Sequence, residues 1–281
     1  NASKADMLAA KAMILVHEDS DLPQAKRVIE QGETILQSVP ASRRGKPWYL
    51  AQRNLRYSQL ERADQAGETD VLRSVASQFL ADKEAWPNEL AESNLQVQDQ
   101  GWYFYWVALA DYIDNLHETA IVKFEQADQL LSKLEKQQPN DPMLLYALAW
   151  TNYIGYGSAA KLDDVERSIL FLDRASHSAE KLATLQEGDA SIIRLGMQMR
   201  EAKSQLLAQM GRLEEAIVMQ EALVVDQEIQ LNMKPEASQH ETWAFSKIIL
   251  AYMYQDADQK MRACEELEGA EKLLLPFASK N

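Results

Sequence analysis

Five adjacent aromatic residues, Trp102-Tyr103-Phe104-Tyr105-Trp106, form the densest concentration of recognition chemistry in this sequence of 281 residues. Large rings stack on sugars and grip apolar side chains, and they dominate binding where they line a groove. Placed at the start of a helix, as expected here, all five cannot be buried against one neighbour, because successive residues point about 100° apart. Further rings occur at Trp48, Tyr49, Tyr146, Trp150, Tyr153, Tyr156, Trp243, Phe245, Tyr252 and Tyr254. From these, Tyr103, Trp106, Trp150 and Tyr153 are expected to anchor a groove. Gln198, Glu201, Gln205, Phe245 and Tyr252 extend that surface. The competing account is that the rings fill gaps between long helices.

A second cluster is basic: Arg43, Arg44, Lys46, Arg53 and Arg56. Such a patch suits an anion or an acidic partner, with Arg43, Arg44, Arg53 and Arg56 as its candidates. Pairing with carboxylates of neighbouring elements is the simpler reading.

Catalytic constellations are not found. His17, His117, His177 and His240 form no metal-binding helix motif, and Asp173 with His177 supplies two groups where a metal wants three or four. Gly155-Tyr156-Gly157 lacks the lysine and the preceding strand of a phosphate loop. Glu214-Glu215 and Glu265-Glu266 are adjacent on helices, so neither pair converges on a substrate. No catalytic residue, no metal and no cofactor is expected.

The net charge is −14. That field repels phosphate backbones, so nucleic acid is disfavoured as a partner of this segment. The apolar runs, Trp102 to Ala110 and Met143 to Trp150, are too short to span a bilayer, so no membrane contact is expected of it. The single cysteine, Cys264, excludes an internal disulfide and a multi-thiolate metal site. It is expected to be a buried, inert thiol beside Ala263. The chain opens Asn1-Ala2-Ser3, an opening expected of a segment cut from a longer protein.

Glycine and proline are scarce and fall mostly between periodic segments, which predicts an all-helical chain. Helices are expected near 3–17, 21–38, 47–64, 68–84, 88–98, 102–114, 117–137, 142–156, 162–184, 189–210, 213–231, 237–256 and 258–275. Asp21-Leu22-Pro23 reads as a helix start with proline in its first turn, Asp141 as a helix N-cap, Gly211 as a helix-terminating glycine, and Gly155 with Gly157-Ser158 as a longer turn.

Small and apolar residues then recur on one face of alternate helices. The trios Ala25-Ile29-Gly32, Ala120-Phe124-Ala127, Ser168-Leu172-Ala175 and Ala263-Leu267-Ala270 share steps of four and three. Ala216 and Leu223 fit between the last two, with Gln220 where an apolar residue belongs. Near position 71 two registers compete: Val71-Val75-Gln78 and Leu72-Ala76-Phe79. The spacing between sets is about 47 residues, which predicts roughly six helical hairpins over 3–40, 46–86, 100–138, 142–186, 189–233 and 237–276.

These residues resemble the tetratricopeptide repeat. Leu250, Ala251, Tyr254, Ala263, Leu267 and Ala270, with Pro276 beyond, follow its pattern. So do Leu207, Gly211 and Ala216, and Ala108, Tyr112, Ala120, Phe124 and Ala127. The repeats are longer than the family's usual period of about 34 residues. They are similar to the long variants attached to bacterial serine/threonine kinases and multidomain transcription regulators. The resemblance implies one right-handed α-solenoid over residues 1–281, with first helices lining its concave surface. It also implies a non-enzymatic module that binds a protein or peptide for a bacterial signalling or regulatory protein. Other outcomes for the same fold are a sensor of a small ligand such as an oligosaccharide, and a scaffold that pairs with a second copy of itself.

Overall fold

The computed structural model describes residues 1–18, 20–91, 93–186, 189–233 and 237–278. Among them every regular element is helical. The α-helices are α1 (Ala2–His17), α2 (Leu22–Gln37), α3 (Lys46–Gln65), α4 (Thr69–Ala81), the short α5 (Asn88–Ala91), α6 (Asn94–Ile113), α7 (His117–Glu135), α8 (Pro142–Lys161), α9 (Val165–Leu185), α10 (Ala190–Gln209), α11 (Leu213–Met233), α12 (Ala237–Asp256) and α13 (Lys260–Ala278). Two 3-10 turns, Ala41–Arg43 and Asp82–Ala85, lie in connections.

The repeat is written most plainly in the backbone. Non-helical residues with positive φ stand at Ser20, Gly67, Asn115, Asp163, Gly211 and Asp258, so successive steps are 47, 48, 48, 48 and 47. Each ends the first helix of a hairpin. At five of the six the chain closes as a Schellman motif, with two amide donors reaching back into the last helical turn. The Glu68 amide donates to the Ala63 carbonyl (2.8 Å) while the Gly67 amide donates to that of Asp64 (2.9 Å). The same pair of bonds recurs at Asn115–Leu116, Asp163–Asp164, Gly211–Arg212 and Asp258–Gln259. Glycine, asparagine and aspartate are the residues that tolerate this left-handed conformation best.

Counting five residues on from each turn gives Ala25, Leu72, Ala120, Ser168, Ala216 and Ala263. The anchor near position 71 is therefore Leu72, and Leu72, Ala76 and Phe79 are all buried. The break at Gln220 is also resolved. Its side chain is fully buried, accepts from the Ser204 hydroxyl (2.5 Å) and donates to the Ser246 carbonyl (3.0 Å). With both ends of the buried amide bonded, those hydrogen bonds offset the cost of its desolvation.

The chain divides into two compact units, Asn1–Asp164 and Val165–Asn281. In the first, α1 packs on α2 and α3, α3 on α4, α4 on α6, α6 on α7 and α7 on α8. In the second, α9 packs on α10, α10 on α11, α11 on α12 and α12 on α13. The packing runs between helices adjacent or next but one in the chain, as in a solenoid of helical hairpins.

Several sequence expectations are corrected. The separate helices at 88–98 and 102–114 are instead the short α5 and one continuous α6. Gly101 does not break α6; it lets α7 approach. A Cβ built there would lie 2.8 Å from Leu131 Cδ2, so only glycine fits without displacement. Likewise α8 does not stop near residue 156 but runs to Lys161, and Gly157 lies against the Tyr112 ring. The turn expected at 155–160 is thus helix, and the true turn is at Asp163. The last helix continues through Pro276 to Ala278. Cys264 is exposed rather than buried, because it is rotated one residue away from the Ala263 packing face. Leu267 is also exposed, although Ala263 and Ala270 on the same helix are buried.

Candidate functional site

The first helices of unit 1 present one common face. Asp6, Ala9, Ala10 and Met13 come from α1, and Arg53, Asn54, Tyr57, Ser58 and Glu61 from α3. Gln98 and Trp102 come from α6, and Asp141, Met143 and Tyr146 from the start of α8. Together they enclose an open cavity of about 650 Å³. Along α1 and α3 the lining recurs every three or four residues (6, 9/10, 13 and 53/54, 57/58, 61), and Gln98 and Trp102 are four apart on α6, which keeps each set on one stripe.

The floor is held by a buried charge network. The Arg53 guanidinium donates to both oxygens of Asp99 at 2.7–3.0 Å. The Tyr57 hydroxyl donates to the same carboxylate at 3.2 Å, and the Lys83 ammonium lies 3.6 Å away. Asp99 is fully buried. A charge so placed is tolerable only when paired. Burial is the main cause that pulls Lys83 down to about 8, and burial also pushes the Tyr57 phenol well above its ordinary range. The Arg53 guanidinium sits 4.7 Å over the Tyr57 ring, and Tyr57 meets Trp102 edge-on at 5.9 Å. The network fixes the orientation of two aromatic walls.

Three carboxylates face the space. Asp6 accepts from the Asn54 amide (2.7 Å), and Asp141 caps α8 by accepting from the amides of Met143 (3.0 Å) and Leu144 (3.3 Å). Glu61 differs. Among the described residues its ion-pair neighbour is His17, with Nε2 at 3.5 Å. Burial, and after it the charge of Asp64, raises the Glu61 carboxyl to about 7.

The aromatic pentad lies inside α6 rather than at its start. Trp102, Tyr105 and Trp106 are buried, while Tyr103 and Phe104 are half-buried. Trp106 is 2% exposed and stacks on Trp102 at 6.1 Å, so it is a core residue and not an accessible anchor. Trp150 and Tyr153 belong to a file of rings along α8, Tyr146–Trp150–Tyr153–Tyr156, with centroids 5.9–6.3 Å apart. That file starts at the cavity with Tyr146. In unit 2, Gln198 is exposed, and Glu201 and Gln205 are half-buried on α10. Glu201 accepts from the Ser246 hydroxyl of α12 (2.6 Å). Phe245 and Tyr252 are 58% and 60% exposed on one face of α12.

The basic cluster does not converge. Arg53 is committed to Asp99; Arg56 bonds Glu33 (2.8 Å) and Asp82 (3.0 Å). Arg44 donates to the Val39 carbonyl and covers the Trp48 ring at 4.4 Å, while Arg43 ends an exposed 3-10 turn. Among the described residues no three His, Cys, Asp or Glu side chains are placed to hold a metal ion, and no helix is long and apolar enough to cross a membrane.

No protein-family model matches the sequence, and no curated protein matches it. Solved structures do match in fold. RapI in its apo form superposes with a TM-score of 0.67 at 10% identity, over 98% of this chain and 67% of its own. A Podosopora anserina protein, described as a kinesin light chain with nearly identical TPR-like repeats, gives 0.58 at 17% identity, over 82% and 98%. Aspartyl phosphate phosphatase F from Bacillus subtilis gives 0.57 at 14% identity, over 97% of this chain and 60% of its own. The fold is an all-α, tetratricopeptide-like solenoid of helical hairpins.

Proposed function

We propose that this chain is a non-enzymatic protein- or peptide-interaction module of a larger bacterial signalling or regulatory protein, and that it holds its partner on the first-helix face of unit 1. One observation carries the reading: the first helices of three hairpins and the start of a fourth converge on a single open cavity with Tyr57, Trp102 and Tyr146 in its walls. Cavities of this size with a few fixed polar groups are the usual form of a recognition site. Tyr146 at the rim leads along α8 to Trp150 and Tyr153, and half-buried Tyr103 offers a further ring on α6. Phe245 and Tyr252, with Gln198, Glu201 and Gln205, form a second candidate contact surface on unit 2. The shared fold of RapI and the other matches supports the architecture of such a module.

The non-enzymatic reading rests on the cavity's own groups. Ser58, the serine in its wall, gives its hydroxyl to the Ala9 and Asn54 carbonyls (3.1 and 3.0 Å), not to a base. Two of the three carboxylates are tied to structural donors. Panning a displayed peptide library against the protein tests the reading. Selected peptides should lose about tenfold or more in affinity against Tyr146→Ala. Peptides indifferent to that change, and to Met143→Ala, would move the binding face elsewhere.

A further inference from the structure

We propose that the unit 1 cavity receives the cationic side chain of an arginine or lysine of a partner polypeptide, with the Glu61 carboxylate as its counter-ion and Tyr57 and Tyr146 among its walls. This deepens the reading above and rests on it.

Three observations lead there. First, the charge is one-sided. Asp6, Glu61 and Asp141 face the space, and the one guanidinium in its wall, Arg53, is already held by Asp99. Secondly, the surrounding surface suits the long stem and flat head of such a guest. Tyr57, Trp102 and Tyr146 supply ring faces and edges, and Met13 and Met143 supply polarisable thioethers. Cations are attracted to aromatic faces, and alkyl stems gain from apolar walls. Thirdly, Glu61 is a partly buried carboxylate, its side chain 24% exposed, without a lysine or arginine partner among the described residues. It meets His17 from α1, Asp64 on its own helix, and the electrostatic influence of Glu61 extends to Tyr57, Tyr105 on α6 and Tyr146 on α8. A guest cation would relieve the penalty of burial and the repulsion from Asp64 together. Its charge-assisted bond is also stronger than a neutral one. Because the guest prefers the ionised carboxylate, binding should release a proton and strengthen as pH rises through about 7.

The experiment uses the full chain and three sets of acetylated, amidated heptapeptides with a fixed central residue, otherwise randomised. The central residue is arginine, citrulline or glutamate. Citrulline keeps the shape of arginine and removes its charge. Affinities are measured by competition with a fluorescent member of the arginine set at pH 6 and pH 8. The expected result is a preference for arginine over citrulline of about tenfold at pH 8, smaller at pH 6. Glu61→Gln should erase both the preference and its pH dependence. Glu61→Asp, which keeps the charge, should retain the preference. Equal binding of the arginine and citrulline sets, or a preference that survives in Glu61→Gln, overturns the proposal. Should both sets bind equally and both weaken in Tyr146→Ala, the interaction face stands and the cation is refuted. Should no set bind, both readings fail. Free spermidine displacing the probe as well as the arginine peptides would assign the site to a small polyamine and overturn the polypeptide occupant.

Discussion

Glu61 is a side chain that folding treats unkindly, and its titration should be visible in the stability of the whole chain. Its carboxyl is raised from 4.5 to about 7, chiefly by burial. The folded state therefore holds this proton more firmly than the unfolded state does. The stabilisation is complete below about 4.5 and is lost as pH rises through about 7. The loss is on the order of 2 kcal/mol, taking each pKa unit as about 1.4 kcal/mol and discounting for residual solvent access. Glu61→Gln removes the group that ionises. Its melting temperature should match the wild type near pH 4.5 and exceed it by several degrees at pH 8. Parallel melting profiles for the two proteins across that range would show that Glu61 is not strained. Asp99 is the opposite case, since two buried cations depend on it. Asp99→Ala leaves Arg53 and Lys83 without their carboxylate and should cost about 3–5 kcal/mol in denaturant unfolding. A cost below about 1 kcal/mol would mean the network is solvated and does not hold the cavity floor.

At the scale of elements, glycines in helices separate two opposing terms. Gly101 in α6 and Gly196 in α10 both occupy helix interiors, where alanine is favoured by about 1 kcal/mol. At Gly196 an added Cβ meets nothing within 4 Å, so Gly196→Ala should stabilise by about 0.5–1 kcal/mol. At Gly101 the same atom would stand 2.8 and 2.9 Å from two carbons of Leu131, which is itself fully buried. Overpacking of that kind costs about 1–3 kcal/mol, so Gly101→Ala should destabilise despite its better helix propensity. Chemical denaturation of the two variants checks both signs. The same position shows why helix boundaries were only partly legible in the sequence. Read alone, Gly101 is a breaker; seen against α7 it is a spacer, and that distinction is tertiary. The trios beginning at Ala25 and Ala120 gave the repeat because small residues on one face are a local pattern. The turn that carries the period stayed hidden. Its left-handed residue is Ser20, Gly67, Asn115, Asp163, Gly211 or Asp258, and only the glycines stand out by type. Of the cavity's rings, Trp102 and Tyr146 belong to aromatic groups visible in the sequence. The anchors expected from those groups, Tyr103, Trp106, Trp150 and Tyr153, do not line the cavity, and Tyr57 stands alone in the sequence with nothing to mark it. The cavity's carboxylates were not legible: nothing local tells Glu61 or Asp6 from the many solvated acids of a chain with net charge −14.

For the molecule as a whole, contacts between chain neighbours replace a single central core. Stability in such an array is close to a sum of repeat and interface terms, so damage should stay near its source. The unit Asn1–Asp164 contains the Asp99 network and the cavity, whereas the cluster of Leu207, Ala216, Ile217, Val224, Leu250, Ala251 and Tyr254 holds the later hairpins. Local opening free energies can then differ along one chain. Asp99→Ala provides a defined injury for native-state hydrogen exchange. Amides of α3, α4 and α6 should exchange faster in the variant, by about a hundredfold or more for the loss argued above. Amides of α12 and α13 should keep wild-type protection. A rise in exchange spread evenly from α1 to α13 would instead identify a single cooperative block, and would refute the neighbour-by-neighbour account of how these hairpins are held.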